Sequence, residues 1–137
     1  MNIKKKSILE VSEPIADSLS AISSPQRIAI LLTIGNGEVC VCHLEAVLGW
    51  RQAYISQHLM ALRQADILES NRKGKFIYYT LKNKSLLTVI LNVANLIELP
   101  SETISSVINQ QSYPSCDCPQ CVDAITQMSS TEHSGKF

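Results

Sequence analysis

Apolar residues recur every three or four positions over most of the chain, and this spacing predicts a mainly α-helical protein. A serine cap followed by Pro25 marks the start of one helix, and Gly35 marks its end. Gly49 is a turn residue that separates two further helices. The expected helices cover residues 13–21, 27–35, 41–48, 51–65 and 85–99.

Two runs rich in β-branched and aromatic residues follow the fourth helix. ILES covers residues 67–70 and FIYYTL covers residues 76–81, and the connector between them is polar and contains Gly74. This pattern predicts a β-hairpin. A helix, a turn at Gly49, a second helix and a hairpin with a basic tip together predict a winged helix-turn-helix, mainly α with a small β-hairpin.

The helix expected at residues 85–99 is apolar around most of its circumference and ends before Pro100. One face can pack against the domain, and the remaining apolar surface needs a second partner. We therefore expect a homodimer with helical dimerisation elements at both ends of the domain. Residues 1–100 would form the DNA-binding and dimerisation domain, and residues 101–137 a cysteine-containing C-terminal tail that opens with a weak amphipathic helix.

Bulk composition limits the number of domains and the expected cellular location, but it does not identify a binding partner. A chain of 137 residues suffices for one modest domain, and twelve basic against twelve acidic residues give no net charge that would favour nucleic acid. No apolar run predicts a membrane helix, and the first residues do not resemble a secretory signal, so we expect a cytoplasmic protein without a membrane partner. Five cysteines in a reducing compartment then indicate metal binding or redox sensing.

The recognition helix of a winged helix-turn-helix enters the major groove, where polar side chains off its apolar face reach base edges. An ordinary solvated helix face is the alternative interpretation of residues 51–63, but the basic hairpin tip favours DNA. His58 could also be a buried or capping histidine. The candidate DNA-binding residues are Arg51, Gln52, Tyr54, Ser56, Gln57, His58, Arg63, Arg72, Lys73 and Lys75.

Cys40 and Cys42 stand two positions apart. In a regular helix this spacing points the side chains about 200° apart, which is poor for binding one ion. The pair lies where the third helix begins, so its backbone need not be regular, and a helix N-terminus favours the metal-binding thiolate. Both residues could instead be small buried hydrophobes.

Cys116, Cys118 and Cys121 form a second thiol group, in a polar, loop-like segment that contains Pro119. Packing does not readily explain this spacing, so we expect a metal or metalloid role. Three thiolates suit the pyramidal coordination of trivalent arsenic. A fourth from Cys40 or Cys42 would suit tetrahedral zinc, cadmium or lead-type chemistry.

Residues 24–81 closely resemble the arsenical-resistance and metallothionein-repressor (ArsR/SmtB) family. The similarity lies in the Pro-Gln-Arg helix start, the Glu-x-Cys-Val-Cys-x-Leu segment, the Ser-x-His-Leu-x-x-Leu helix and the hairpin with Tyr-Tyr. It implies a homodimer that binds operator double-stranded DNA and releases it when an inducer binds, with Gln52, Ser56, Gln57 and His58 on the DNA-reading face. The family's Cys-Val-Cys-Asp-Leu version is associated with arsenic, antimony, cadmium or lead, whereas this chain has His43 in place of the aspartate.

The sequence thus predicts a repressor controlled by a thiophilic inducer, with arsenite favoured and cadmium, lead or zinc as further candidates. A thiol-redox or persulfide sensor of the same fold is the first alternative, and a thiol-based metal carrier is the second. The apolar helix at residues 85–99 has no histidine and one glutamate, which argues against a zinc, cobalt or nickel site on that helix. An enzyme is not expected, because no catalytic triad, paired carboxylates or phosphate-binding glycine loop is recognisable.

Overall fold

A computed structural model describes residues 5–110, which form six helices and a three-stranded antiparallel sheet. No helix in this range is long and apolar enough to cross a bilayer. The elements are α1 (Ile8–Ile22), α2 (Pro25–Ile34), β1 (Glu38–Cys40), α3 (Val41–Leu48), α4 (Gln52–Gln64), β2 (Leu68–Lys73), β3 (Phe76–Leu81), α5 (Ser85–Leu96) and α6 (Ser101–Gln110). The winged helix-turn-helix expected from the sequence is confirmed, with α3 and α4 as its two helices and β2–β3 as its wing.

Aliphatic side chains from α2, α3 and α4 make the centre of the core. Ile30 and Leu31 of α2, Leu44 of α3, and Ile55 and Leu62 of α4 are fully buried. Burial of each such side chain contributes about 1.5–3 kcal/mol to folding. The helix-turn-helix is therefore held by the same apolar contacts that stabilise the domain.

The first helix begins earlier than residue 13, where the sequence placed its start. Ser7 accepts a hydrogen bond from the Glu10 backbone N–H, and the Glu10 carboxylate accepts one from the Ser7 N–H. This reciprocal capping box satisfies the free N–H groups at the helix start. Helix α1 consequently runs from Ile8 and contains Pro14 in its interior.

A strand that the sequence analysis missed, β1, pairs with β3 and extends the hairpin to a sheet of order β1-β3-β2. Its three residues are too few to show an alternating pattern. In the register, Glu38 lies opposite Thr80 and Cys40 lies opposite Tyr78. The segment that leads into α3 is therefore hydrogen-bonded to the wing.

The fifth helix ends at Leu96, three residues before the predicted end at residue 99. Glu98 adopts a left-handed conformation with φ of 59°, and the Leu99 N–H donates to the Ala94 carbonyl. This turn satisfies the free carbonyls of the last helical residues, as a helix C-terminus requires. The weak amphipathic helix expected after Pro100 is confirmed as α6.

Gly49, at the turn between α3 and α4, gives a stability prediction. Its φ of 72° lies in the left-handed region, and an added Cβ would meet no atom within 4 Å. Gly49→Ala should therefore lower the free energy of unfolding by about 1–2 kcal/mol through backbone strain alone. Urea denaturation measures this change.

Gly37→Ala is the matched control, because Gly37 has no positive φ and its nearest atom would lie 3.8 Å from the new Cβ. It should leave the free energy of unfolding within about 0.5 kcal/mol of the parent value or raise it slightly. Equal losses in the two variants would contradict the role given to the Gly49 conformation.

Candidate DNA-binding surface and thiol site

Helix α4 presents one apolar face to the core and a polar face to solvent. Ile55, Leu59 and Leu62 are buried. The remaining faces carry the polar side chains that the sequence singled out. Arg51, Gln52, Tyr54, Gln57 and Arg63 are exposed, and Ser56 is half-buried.

Arg51 occupies the N-cap position of α4, and its side chain makes no capping hydrogen bond. Its guanidinium group is exposed beside the N-terminal end of the helix, where the backbone N–H groups of the first turn also point. Together these groups give the start of α4 a positive character suited to a phosphate.

His58 is placed differently from its neighbours on the recognition helix. Its ring is half-buried, Nδ1 accepts a hydrogen bond of 3.4 Å from Arg27 Nε, and the Tyr54 ring lies edge-on with its centroid 4.7 Å away. Burial, and then the charge of Arg27, hold the pKa of His58 below its ordinary value. The structure thus brings His58 towards α2, 31 positions earlier in the chain, a contact that helical spacing could not reveal.

The wing carries three basic residues, but they are not equivalent. Arg72 and Lys75 are exposed at the tip, whereas Lys73 Nζ lies 2.5 Å from Glu38 Oε1 and 5.4 Å from the centre of the Tyr78 ring. The Lys73–Glu38 pair links the wing to β1. Because it is partly solvent-exposed, its contribution to stability is modest.

Cys40 and Cys42 converge even though their spacing is poor for a regular helix. Cys40 is the N-cap of α3 with an extended backbone, φ −85° and ψ 165°, and only Cys42 lies within the helix. Their Sγ atoms are 2.6 Å apart, and the His43 backbone N–H donates to Cys40 Sγ at 3.4 Å. An irregular backbone at this pair, as the sequence analysis anticipated, is confirmed.

The thiol pair lies between the helix-turn-helix and the wing. Cys40 and Tyr78 are each 2% exposed, and Cys42 and Phe76 pack against them. Next to the pair, burial lowers the pKa of His43, which favours the neutral imidazole at pH 7. Within residues 5–110 no group of three or more ligand side chains converges on one point. The predicted tail ligands Cys116, Cys118 and Cys121 lie outside the described residues.

An apolar groove lies between helices of the domain. Helices α1, α2, α5 and α6 line it, and its volume is about 360 Å³. The exposed apolar side chains on α1 and α5 are Ile8, Leu9, Val11, Ile15, Leu19, Val89, Val93 and Leu96. Its α5 part belongs to the apolar helix from which the sequence predicted a subunit contact.

The fold and the exposed polar face of α4 define a winged helix-turn-helix DNA-binding protein. Residues 24–70 match the family model described as "Bacterial regulatory protein, arsR family". The chain is 32% identical over 90 residues to the biofilm growth-associated repressor of Agrobacterium fabrum, a match that covers 66% of this chain and 77% of that protein. The chain belongs to the ArsR/SmtB family of DNA-binding transcriptional repressors, and it is not an enzyme.

Other relatives and solved structures agree with this assignment. The arsenic resistance transcriptional regulator ArsR1 of Pseudomonas putida is 39% identical over 71 residues, which cover 52% of this chain and 55% of that one. NolR from Sinorhizobium fredii matches with a TM-score of 0.62 and 28% identity over 73% of this chain and 99% of that chain. The repressor BigR from Xylella fastidiosa matches with a TM-score of 0.59 and 29% identity over 64% and 89% of the two chains.

The different environments of the polar side chains predict different effects on DNA binding. Arg72→Ala, which removes an exposed cation at the wing tip, should weaken binding to all duplexes and reduce the slope of log K against log salt by about one. Gln57→Ala should leave that slope unchanged and cost about 1–3 kcal/mol of discrimination between sequences. Fluorescence anisotropy can measure both, with a duplex selected by the wild-type protein from a random pool and a scrambled duplex.

Glu69→Ala is a control on β2, since it removes an exposed anion on the strand that leads to the wing tip. It should not reduce the salt dependence. If Arg72→Ala and Glu69→Ala gave the same slope as the parent protein, the wing tip would not contact phosphates.

Proposed function

We propose that this protein is a homodimeric repressor that releases its operator when a thiophilic metal or metalloid binds the thiolates of Cys40 and Cys42. Arsenite is the favoured inducer, cadmium or lead come next, and zinc is the remaining candidate. The observation that carries the proposal is the convergence of the two sulfur atoms at the start of α3, between the helix-turn-helix and the wing.

The donor set fits a soft ion. Two thiolates bound to one ion at about 2.3 Å lie about 3.8 Å apart in tetrahedral geometry, so an ion would move the two Sγ atoms apart from the 2.6 Å that now separates them. The His43 backbone N–H at the start of α3 already donates to Cys40 Sγ. The name of the Pseudomonas putida relative, an arsenic resistance regulator, supports arsenite as the first candidate.

Further thiolates would come from the tail. The spacing of Cys116, Cys118 and Cys121 in the sequence predicts ligands for the same class of ion. One of them would complete a three-sulfur set for trivalent arsenic, and two would complete a four-sulfur set for cadmium, lead or zinc. This part of the proposal rests on the sequence alone.

Coupling to DNA follows from what Cys40 contacts. It ends β1, which pairs with the wing strand β3, and it caps α3, which packs against α4. An ion that holds the two sulfurs at the wider separation of its own geometry would therefore shift the start of α3 relative to both proposed DNA-contacting elements. The ion changes affinity only by binding the DNA-incompetent arrangement more tightly than the competent one.

The homodimer is proposed from the apolar groove and the side chains around it. The chain exposes Val89, Val93 and Leu96 on α5 and Ile15 and Leu19 on α1, a surface that water disfavours. A second copy that covers this surface would bury it and would place two recognition helices one turn of DNA apart, about 34 Å. The proposed contacts to the operator are Arg51, Gln52, Tyr54, Ser56, Gln57, Arg63, Arg72 and Lys75, with Lys73 freed from Glu38 as a further one.

A thiol-redox or persulfide sensor of the same fold is the second candidate, and the short distance between the two sulfurs favours it. Peroxide would accept two electrons and two protons from the Cys40 and Cys42 thiols, so that one disulfide and two waters form. A persulfide would transfer its outer sulfur to one thiolate as its own S–S bond breaks and its inner sulfur leaves as a thiolate. An excess of a phosphine reductant suppresses both reactions and leaves metal binding possible.

Replacement of both thiols tests the inducer site. Cys40→Ser/Cys42→Ser should keep operator affinity within about threefold of the parent value and should lose release by arsenite, because no thiolate pair remains at the start of α3. Anisotropy of a preformed operator complex, titrated with arsenite, cadmium, lead and zinc in turn under phosphine reductant, measures release.

The matched control replaces Cys116, Cys118 and Cys121 by serine and leaves the pair intact. Weakened but detectable release in this variant is expected if the tail completes the ligand set. Full release from the Cys40→Ser/Cys42→Ser protein would refute the proposed site. Release that occurs with peroxide and disappears under reductant would favour the redox alternative.

A charge in the groove tests the dimer. Val93 is 51% exposed, so Val93→Asp should fold, yet it would bury a carboxylate at the proposed subunit contact. The variant should sediment as a monomer at micromolar concentration. Met60→Asp, at a 61% exposed apolar residue on α4, should sediment as the parent protein does. A dimeric Val93→Asp protein would place the subunit contact elsewhere.

A further inference from the structure

A chain of side-chain contacts joins the end of α1 to the recognition helix. Arg27, in the first turn of α2, donates from Nη1 to the Ala21 carbonyl at 2.9 Å and from Nε to His58 Nδ1 at 3.4 Å. Its backbone is fixed as well, because the Arg27 N–H donates to the side chain of the N-cap residue Ser24. One planar guanidinium group thus contacts α1 and α4 from a rigid point on α2.

The contacts continue along α4 towards the exposed face. His58 packs against the edge of Tyr54 at 4.7 Å, and Tyr54 packs against Trp50 at 5.6 Å, with the rings nearly perpendicular in both pairs. Such edge-to-face pairs contribute about 0.5–1.5 kcal/mol beyond area burial. Tyr54 is 40% exposed, so the row that begins at the Ala21 carbonyl ends on the surface proposed to meet DNA.

The hydrogen bond from Arg27 fixes the tautomer of the neutral His58 ring. Nδ1 accepts from Arg27, so a neutral ring carries its proton on Nε2. Nε2 is buried and has no hydrogen-bond partner among the described residues. An additional proton would turn Nδ1 into a donor facing the Arg27 cation, and this hydrogen bond between α2 and α4 would be lost.

We infer that Arg27 and His58 are positioning residues, which set the orientation of the recognition helix relative to α1 and act on DNA through Tyr54 rather than by touching it. Helix α1 carries exposed apolar side chains and α4 carries the polar face. The Arg27 bridge is therefore where the proposed subunit contact and the DNA-reading surface meet. In this proposal His58 does not contact a base itself, and instead it positions Tyr54, which does contact DNA.

This role has a pH dependence with a definite sign. Among the described residues, the ionisable side chains in contact with the His58 ring are Arg27 from α2 and Tyr54 from its own helix, and α1 contributes the Ala21 carbonyl through Arg27. The native arrangement keeps the pKa of His58 below about 6.5. Protonation of His58 opposes its hydrogen bond with Arg27. The contribution of this bond to stability is therefore present above about pH 6.5 and is lost as the pH falls through the lowered pKa of His58.

Three variants test the inference by anisotropy on the selected duplex. Arg27→Gln should weaken operator binding about tenfold and leave the slope of log K against log salt unchanged, because no phosphate contact is lost. Arg27→Lys should give a smaller loss, since a lysine can reach one of the two acceptors. His58→Gln, whose amide oxygen can accept from Arg27 at any pH, should bind like the parent protein above about pH 6.5 and better than it once the pH falls through the lowered pKa of His58.

Thermal unfolding of each variant shows whether it is folded at the assay temperature. If Arg27→Gln is unfolded there, the operator affinity and salt slope of Arg27→Lys test the inference instead. A slope reduced by about one in either Arg27 variant would show a direct phosphate contact and overturn the inference. The same holds if both Arg27 variants bind as tightly as the parent, or if His58→Gln and the parent protein share one pH profile. All three outcomes leave the thiol proposal untouched, because its readout is release by arsenite.

Discussion

The burial of one face of α4 against α2 and α3 is the interaction on which the rest of the molecule depends. Ile55, Leu59 and Leu62 enter the core beside Leu44 and Ile30, and α4 cannot rotate without exposing them. A rotation would uncover several large apolar groups, at about 1.5–3 kcal/mol each. The orientation of the polar face, and therefore of every proposed base contact, follows from this packing.

The second constraint is the double role of the short segment between α2 and α3. Cys40 completes β1, where it lies opposite Tyr78 in the sheet, and it caps α3 through the His43 N–H. The Glu38–Lys73 ion pair ties the same segment to the wing. A ligand at the two thiols would therefore act at once on α3, which leads into the recognition helix, and on the wing.

The two proposed control points lie on different helices of the helix-turn-helix. The thiol pair contacts the start of α3 and the wing, whereas Arg27 and His58 join α4 to α2 and the end of α1. The first would respond to an inducer and the second would transmit the subunit arrangement. Both involve helices that share one core, so a shift at either point reaches α4 through packed side chains.

The sequence by itself determined the elements that local chemistry governs. The Ser24–Pro25 start of α2, the Gly49 turn and the amphipathic pattern of α4 each carry their own signal in consecutive residues, and the structure confirms them. The family resemblance was likewise readable from motifs within residues 24–81. Capping, glycine conformation and helical periodicity are short-range effects, so the sequence alone suffices for them.

Only the tertiary structure decided what depends on distant partners. The three-residue strand β1 exists because β3 pairs with it, some 40 positions later in the chain. The convergence of Cys40 and Cys42 depends on that strand, since it holds Cys40 extended at the entrance to α3. Arg27 and His58, 31 positions apart, likewise meet only when the core brings α2 and α4 together. Hydrogen bonds between residues that are distant in the chain leave no periodic trace in the sequence, so these features had to be seen in the folded chain.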